Sequence, residues 1–431
     1  MDLSIIIPAL DEASSVGQAV ADVHRVCRGM GLDYEVFVVD GGSRDRTVEL
    51  AQQAGAEVLT QREPGYGAAL REGFAAAGGE WVATMDSDLS HPPMILRTLY
   101  RNRDRGDVLI ASRYVKGGLA NMPLQRKWLS RVLNQVFARA LDLPIADLSS
   151  GFRLYRRSVL REIEAHNSDF SFLQEILVGA YCAGFHVLEI PFHYFPRRSG
   201  ASKARIVRFG ISYLRLLRSS RKLRDSIQSA DYDERAYDSW LLPQRWWQRA
   251  RYRIVVGWAA RAGRVLDAGC GTSRIFEALP GAIGIDLDRG VLRYRRTLGN
   301  PLVCASTAAL PMRDESFDQV LSSQVIEHVP YDENIFREFF RVLRPGGTLI
   351  LGTPDYDRVE WRVIEWVYGK IMPGAYAHEH ITHYTLDSLR ALLAAYGFDV
   401  LDHRYVFRSE LILLARKRAE RGLSGRSDSG S

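Results

Sequence analysis

The chain has 431 residues, 46% of them apolar, enough for two or three domains with sizeable cores. Its 57 Lys and Arg against 51 Asp and Glu leave a net charge of +6, which suits anionic partners such as nucleotides, phospholipid surfaces or lipid phosphates. No nucleic-acid-binding motif accompanies that charge, so nucleic acid is not an expected partner.

Four cysteines (Cys27, Cys182, Cys270, Cys304) show no metal-ligand spacing and read as reduced thiols of a cytosolic protein. No run approaches the roughly 18–20 apolar residues of a membrane span, and the chain opens on a strand pattern rather than a charged leader. The expectation is a cytoplasmic protein that meets a membrane, if at all, from its cytoplasmic face.

Leu3 to Pro8 reads as a strand stopped by proline, followed by Asp11-Glu12 and a helix from Ser15 to about Met30. Tyr34 to Asp40 is a second strand ending on an acid, with a Gly41-Gly42-Ser43 turn and a helix from Asp45 to Gln53. Glu57-Val58-Leu59 is a third strand, and Gly65-Tyr66-Gly67 opens another helix. Trp81 to Met85 is a short apolar run, a buried strand that ends on Asp86-Ser87-Asp88. Strand–helix alternation of this kind argues a parallel, doubly wound sheet, whose ligands lie beyond the carboxyl ends of the strands. Two carboxylates so close repel unless a cation or a proton lies between them, and hard oxygen ligands suit Mg²⁺ or Mn²⁺ holding a diphosphate. The plainer alternatives are a solvated Asp-Ser-Asp turn and, at Asp40 or Ser43, a helix cap.

Ordered segments through the first half now carry a resemblance. Pro8-x-x-x-Glu12, Val39-Asp40-Gly41-Gly42-Ser43-x-Asp45-x-Thr47, Gly65-x-Gly67 and Met85-Asp86-x-Asp88-Leu89-Ser90-His91-Pro92-Pro93 are followed by Ser112-Arg113-Tyr114, Arg126, Asn134, Asp147-x-Ser149-Ser150-Gly151-Phe152-Arg153, Glu175, Glu189-x-Pro191 and Arg197-x-x-Gly200-x-Ser202-Lys203. Residues 1–205 thereby resemble family 2 glycosyltransferases of the GT-A fold, in the polyprenyl- (dolichol-) phosphate mannosyltransferase subgroup. The resemblance implies that Pro8, Leu10, Glu12, Val38 and Asp40 hold the nucleotide. It implies that Asp86 and Asp88, with Ser87 and Ser90, hold Mg²⁺ or Mn²⁺ and the sugar diphosphate. Arg113, Arg126, Arg197 and Lys203 would face the phosphates of donor and acceptor, with Asp88, Arg113 and Arg126 the catalytic set. Asp11 stands where the family usually has Asn, and Ser90 where some members have Gln. A hydroxyl acceptor demands a general base, for which Asp147 and Glu175 are the candidates. A lipid phosphate is already ionised and needs only cations to position it.

From Arg197 to Arg224 there are ten Lys or Arg and no Asp or Glu. At about 100° per residue, Arg208, Arg215 and Lys222 fall on one side of a helix and Ile206, Phe209, Tyr213, Leu214 and Leu217 on the other. Such a helix either lies in a membrane interface or docks its apolar face on a domain. The lipid acceptor implied by the resemblance favours peripheral membrane association. Residues 206–230 are therefore read as a basic amphipathic helix and linker.

The second half starts a new cycle. Tyr232 to Ala260 is aromatic-rich and helical in pattern, its Trp240, Trp246, Trp247 and Trp258 read as core or lid aromatics. Val265-Leu266-Asp267-Ala268-Gly269-Cys270-Gly271 is a strand running into a glycine turn, and Ile283 to Asp286 ends on an acid 19 residues after Asp267. That offset suits a carboxylate on ribose hydroxyls. With Glu327-His328, Arg341-Val342-Leu343-Arg344-Pro345-Gly346-Gly347 and His383-Tyr384-Thr385, residues 231–417 resemble class I S-adenosylmethionine-dependent methyltransferases. The resemblance implies Asp267, Gly269 and Gly271 around the amino acid part of the cofactor, Asp286 on its ribose, and Ser306 and Thr307 by its adenine. His328 is the candidate base, with His378, His380 and His383 also available. Residues 418–431, charged and then Gly/Ser-rich, read as a disordered tail.

The fold expected is therefore two doubly wound, Rossmann-like α/β domains. The function expected is a bifunctional enzyme. It transfers sugar from a nucleotide sugar such as GDP-mannose to polyprenyl phosphate, and methylates a glycan or lipid of the same pathway. The alternative is a hydroxyl-directed glycosyltransferase with a regulatory or scaffold module that binds S-adenosylmethionine.

Overall fold

The computed structural model describes residues 1–195, 206–259, 263–371 and 380–419, without side chains at 206–212, 368–369 and 371. Arg197, Lys203, His378 and nearly all of the expected tail lie outside the described residues. The chain divides into two compact units, Met1–Arg224 and Asp225–Ser431.

Among the described residues the first unit contains nine strands: β1 (Leu3–Ala9), β2 (Tyr34–Asp40), β3 (Glu57–Thr60), β4 (Trp81–Thr84), β5 (Val108–Ser112), β6 (Leu119–Ala120), β7 (Arg153–Arg156), β8 (Val187–Pro191) and β9 (His193–Tyr194). Seven form one sheet in the order β3-β2-β1-β4-β7-β5-β8, and β6 pairs with β9. The period of two decides the layers. Leu3, Ile5, Ile7, Val36 and Val38 pack into one apolar cluster, whereas Ile6, Phe37 and Val39 pack into another. Strands with apolar residues on both faces are buried on both, as a helix-covered sheet requires. The sheet is not wholly parallel: β7 runs antiparallel to β4 and β5.

The basic helix spans Ile206–Arg224 and belongs to this first unit. Tyr213 and Leu216 are buried in the core, the Tyr213 hydroxyl donates to the Leu133 carbonyl at 2.6 Å, and Arg224 donates to the carbonyls of Leu141 and Asp142 at 2.9 and 3.1 Å. Leu214, expected on the apolar face, is 67% exposed. This part of the helix docks on its own domain.

In the second unit the strands are β10 (Val265–Ala268), β11 (Ile283–Asp286), β12 (Leu302–Cys304), β13 (Phe317–Ser323), β14 (Leu343–Pro354), β15 (Phe398–Val406) and β16 (Glu410–Lys417). Their order is β12-β11-β10-β13-β14-β16-β15. The first five run parallel, but β16 is antiparallel to both neighbours. A tight turn through Phe407 and Arg408, both with positive φ (47° and 59°), joins β15 to β16, and a connection that short permits only a hairpin. The aromatic stretch forms two helices, Tyr232–Tyr237 and Leu242–Trp258. Trp247 packs against Trp361 and Phe407, but Trp240 and Trp246 are 78% and 55% exposed, so those two are not core residues.

Candidate active sites

In the first unit β2 and β4 flank β1, all parallel, so Asp40, the Leu10–Glu12 segment and the Asp86-Ser87-Asp88 turn emerge at the same end of three adjacent strands. The Asp40 carboxylate is buried and accepts the N–H groups of Gly42 and Ser43, both at 3.0 Å, so it builds the glycine turn. Asp11 adopts φ +50°, which Asp and Asn tolerate better than most residues. Its carboxylate accepts the Arg44 N–H at 2.8 Å, and the Glu12 N–H donates to Thr47 Oγ1 at 2.8 Å. The loops after β1 and β2 are thus stitched together. Leu10 is exposed and Pro8 half-buried at this edge, whereas Val38 is fully buried and serves the core.

Asp86 is held by two residues to which the sequence reading gave no role. The Tyr66 hydroxyl donates to Asp86 Oδ1 at 3.2 Å, and the Asp86 N–H donates to His91 Nδ1 at 3.1 Å, with His91 Nε2 3.8 Å from Asp86 Oδ2. His91 is buried against Phe152, and burial lowers its pKa, keeping the ring neutral. Asp88 Oδ1 accepts the Ser90 N–H at 3.0 Å across a turn in which Leu89 sits at φ +61°. A leucine there is strained, a cost that surrounding structure must hold. Ser87, Asp88 and Ser90 are all buried, and Ser90 Oγ has no hydrogen-bond partner among the described residues. An orphaned hydroxyl in the same short turn as two acids offers oxygen donors of the kind a hard divalent cation would take.

Arg113 does not present its guanidinium openly to a ligand. Its Nε and Nη2 bind the two oxygens of Asp147 at 2.7 Å each, and Nη2 also donates to Ser149 Oγ at 2.7 Å. Burial favours the neutral acid at Asp147, but the Arg113 charge and hydrogen bonds override it and hold the pKa below the ordinary value. Glu175 accepts the N–H groups of His166 and Asn167 at 3.1 and 2.9 Å. Arg126 is exposed near the start of the helix Leu124–Ala140. Along that helix Leu124 (82% exposed), Trp128 (69%), Leu129 and Val136 form an apolar face in solvent.

In the second unit Asp267 on β10 and Asp286 at the end of β11 stand on adjacent parallel strands. The glycine turn between them takes positive φ at Gly269 (79°) and Gly271 (48°), and the Gly271 N–H donates to Asp286 Oδ2 at 3.0 Å. Arg295, almost wholly buried, backs this loop by donating to the carbonyls of Gly271 and Ser273 at 3.3 and 2.6 Å while it pairs with Glu277. The sequence reading did not find it, because nothing in its spacing marks it. Burial pushes the Asp267 carboxyl up to about 7, although Arg295 pulls the other way. Asp286 lies opposite Cys304 in register, so Ser306 and Thr307, just past β12, are on the same edge. Ser306 Oγ accepts the Ala308 N–H at 3.1 Å, and Thr307 is buried. These positive-φ glycines and strand-end acids fit the adenosyl and amino acid groups of S-adenosylmethionine.

His328, on the loop after β13, lies against His380, ring centroids 4.9 Å apart. Glu327 beside it is fully buried, and burial raises its carboxyl to about 8. His380 Nδ1 is 2.8 Å from the Tyr356 hydroxyl and 3.3 Å from Glu365, and the His383 ring stacks on Tyr356 at 3.8 Å.

The comparisons with known proteins divide as the structure does. A family model described as glycosyl transferase family 2 matches residues 4–164, and one described as methyltransferase domain matches residues 266–351. A dolichol-phosphate mannosyltransferase from Pyrococcus furiosus is 35% identical over 215 residues, 47% of this chain and 59% of the relative. An undecaprenyl-phosphate 4-deoxy-4-formamido-L-arabinose transferase from Pseudomonas fluorescens is 29% identical over 208 residues, again 47% and 59%. The chain thus spans somewhat over half the length of these curated relatives. A solved SAM-dependent methyltransferase from Thermotoga maritima, 23% identical, covers 41% of this chain and 94% of its own at a TM-score of 0.35. No helix among the described residues is long and apolar enough to cross a membrane. The chain carries a family 2 glycosyl transferase domain followed by a methyltransferase domain.

Proposed function

We propose that the first half transfers a sugar from a nucleotide sugar, GDP-mannose or a close analogue, to a polyprenyl phosphate, and that the second half methylates a glycan or lipid of the same pathway. The observation that carries the choice of acceptor is the engagement of both candidate bases. Asp147 is locked in a two-point pair with Arg113, and Glu175 is spent on backbone N–H groups. An acceptor hydroxyl has no base in either residue, whereas a phosphate acceptor arrives ionised. The names of the two relatives, both transferases to polyprenyl phosphates, support the same reading.

In this reading Asp86, Asp88 and Ser90 hold Mg²⁺ or Mn²⁺, which when bound neutralises the diphosphate leaving group. Tyr66 and His91 orient Asp86. Asp40 shapes the loop that receives the nucleotide, with Leu10 and Glu12 beside it. Arg126 meets the acceptor phosphate, and Arg113 positions the Asp147–Ser149 loop. The exposed apolar face of the Leu124–Ala140 helix, with Arg126, Lys127 and Arg131 along it, suits the surface of an anionic membrane. In the second half S-adenosylmethionine supplies the methyl group, while Asp267, Gly269, Gly271, Asp286, Ser306 and Thr307 bind it.

The test is transfer by the full chain from a panel of GDP- and UDP-sugars to short polyprenyl phosphate with Mg²⁺ or Mn²⁺, beside Asp88→Ala. Metal-dependent glycosyl lipid phosphate, absent from the variant, is the expected product. Product only with a hydroxyl acceptor overturns the reading. The glycolipid obtained then serves as methyl acceptor, with S-adenosylhomocysteine as the readout. Co-sedimentation with anionic vesicles, weakened by Trp128→Glu, tests the membrane surface.

A further inference from the structure

We propose that Glu327, His328 and His380 form a divalent transition-metal site within the methyltransferase half. Each offers one donor atom, and the three atoms lie within 4.8 Å of one another. Glu327 is fully buried, and neither of its carboxylate oxygens has a hydrogen-bond partner among the described residues. A buried carboxylate without partners is costly, and a cation is one of the few groups that offset the cost.

The surroundings are built as a metal site needs. His380 Nδ1 is engaged by Tyr356 and Glu365 at 2.8 and 3.3 Å, and the Tyr356 hydroxyl also donates to Glu365 at 3.1 Å. An imidazole whose one nitrogen is fixed by a carboxylate offers the other as ligand, so Nε2 takes that role. The backbone holds the two segments in register, because the Glu327 carbonyl accepts the N–H groups of Ile381 and Thr382 at 2.8 and 3.1 Å. Thr382 Oγ1 adds a bond to the Val329 carbonyl at 2.7 Å.

Two imidazoles and one carboxylate suit Zn²⁺, Mn²⁺ or Fe²⁺ better than Mg²⁺ or Ca²⁺, and three protein ligands leave coordination positions open. The site follows β13, the strand next to the Asp267 strand. A Cβ on Gly269 would meet Val325 at 2.3 Å, so the glycine turn abuts the segment leading into Glu327. Resting on the methyltransferase reading, the open positions take two neighbouring oxygens of the methyl acceptor, such as vicinal hydroxyls of a sugar. His328 is then a ligand rather than a general base. The competing account, a neutral buried acid beside two unrelated histidines, predicts no metal.

The experiment uses the full chain carrying Asp88→Ala, which removes the all-oxygen site of the first half. Mn²⁺ is titrated and read by electron paramagnetic resonance with spin-echo detection of coordinated nitrogen, and S-adenosylmethionine binding is measured in parallel as a check on folding. The expected result is one Mn²⁺ per chain with nitrogen couplings. Its affinity should fall at least about tenfold in Glu327→Gln and in His328→Asn. Because His328 is only half-buried, its variant keeps the test decisive if Glu327→Gln fails to fold. Mn²⁺ bound without nitrogen coupling, equal binding in a folded variant, or no binding by a chain that still takes S-adenosylmethionine overturns the site. That last outcome leaves the methyltransferase reading standing. Metal binding without S-adenosylmethionine binding supports the site and removes that reading.

Discussion

The two halves place acids at the same point of the same kind of sheet and treat them in opposite ways. In the first, Arg113 matches the charge of Asp147, and hydrogen bonds with the uncharged Tyr66 and His91 fix the position of Asp86. In the second, acids are buried with less compensation, and desolvation drives Asp267 up to about 7 and Glu327 to about 8. A scaffold whose ion pairs are already made can present fixed charges to a ligand with little reorganisation. A desolvated acid instead favours a cationic ligand, a class that includes the sulfonium and ammonium groups of the S-adenosylmethionine proposed above. The Arg113–Asp147 pair is complete without a ligand, whereas Asp267 and Glu327 stay desolvated without a matching charge of that kind.

Breaking the matched pair should give the largest effect. Arg113→Ala leaves Asp147 charged and buried, at a cost of about 3–5 kcal/mol, read as a shift in urea unfolding of the first domain. The Asp147 carboxyl lies below its ordinary pKa, so this contribution is present above about pH 4 and is lost as pH falls through the folded value. The Arg113→Ala deficit should therefore shrink in acid, and a deficit independent of pH would argue against the pair. Asp267 carries the opposite sign. Its folded pKa lies above 3.8, so the folded state holds the extra proton and ligand-free stability falls as pH rises from about 4 to 7. Asp267→Asn should raise ligand-free stability at pH 8 by up to a few kcal/mol, leave it nearly unchanged at pH 4, and weaken S-adenosylmethionine binding. Thermal melts at the two pH values with and without ligand check all three.

Much of this contrast is legible in the sequence and part of it is not. Strands such as Leu3–Ala9 and Tyr34–Asp40 announce themselves because both faces are apolar, and Asp40, Asp86, Asp267 and Asp286 sit where such strands end. The partners of those acids are not legible. Arg113 meets Asp147 through a contact distant in sequence, and Arg295 reaches the glycine loop from the helix Arg289–Arg295 that follows β11. The antiparallel β7 is hidden because Arg153–Arg156 is short and carries two arginines, one of them buried on the carbonyls of Leu148, Ser150 and Leu173. The apolar periodicity of the basic helix was visible, but not what would cover it, and the solvent-facing stripe lies on Leu124–Ala140 instead. Glu327, His328 and His380 come from two segments that only the fold joins.

Smaller perturbations sharpen the first half of the comparison. A Cβ on Gly151 would sit 2.6 Å from the Tyr66 hydroxyl and 3.4 Å from Asp86 Oδ1. Gly151→Ala must therefore displace the tyrosine that orients Asp86, with about 1–3 kcal/mol of strain. Sugar transfer should fall far more than stability does, and a melt beside an activity assay separates the two.

Ser90→Ala should have the smallest effect on the fold and the most telling one on the site. The hydroxyl is buried and makes no hydrogen bond among the described residues, so its loss removes no such bond and changes stability by less than about 1 kcal/mol. In the metal site proposed for the first half, however, it would contribute directly to Mn²⁺ affinity. The variant should bind Mn²⁺ there about tenfold more weakly, measured with GDP present and with Glu327→Gln removing the nitrogen site proposed for the second half. A tenfold loss at unchanged melting temperature places Ser90 on the metal. An unchanged affinity leaves Asp86 and Asp88 as the protein's whole contribution, with the diphosphate supplying the rest.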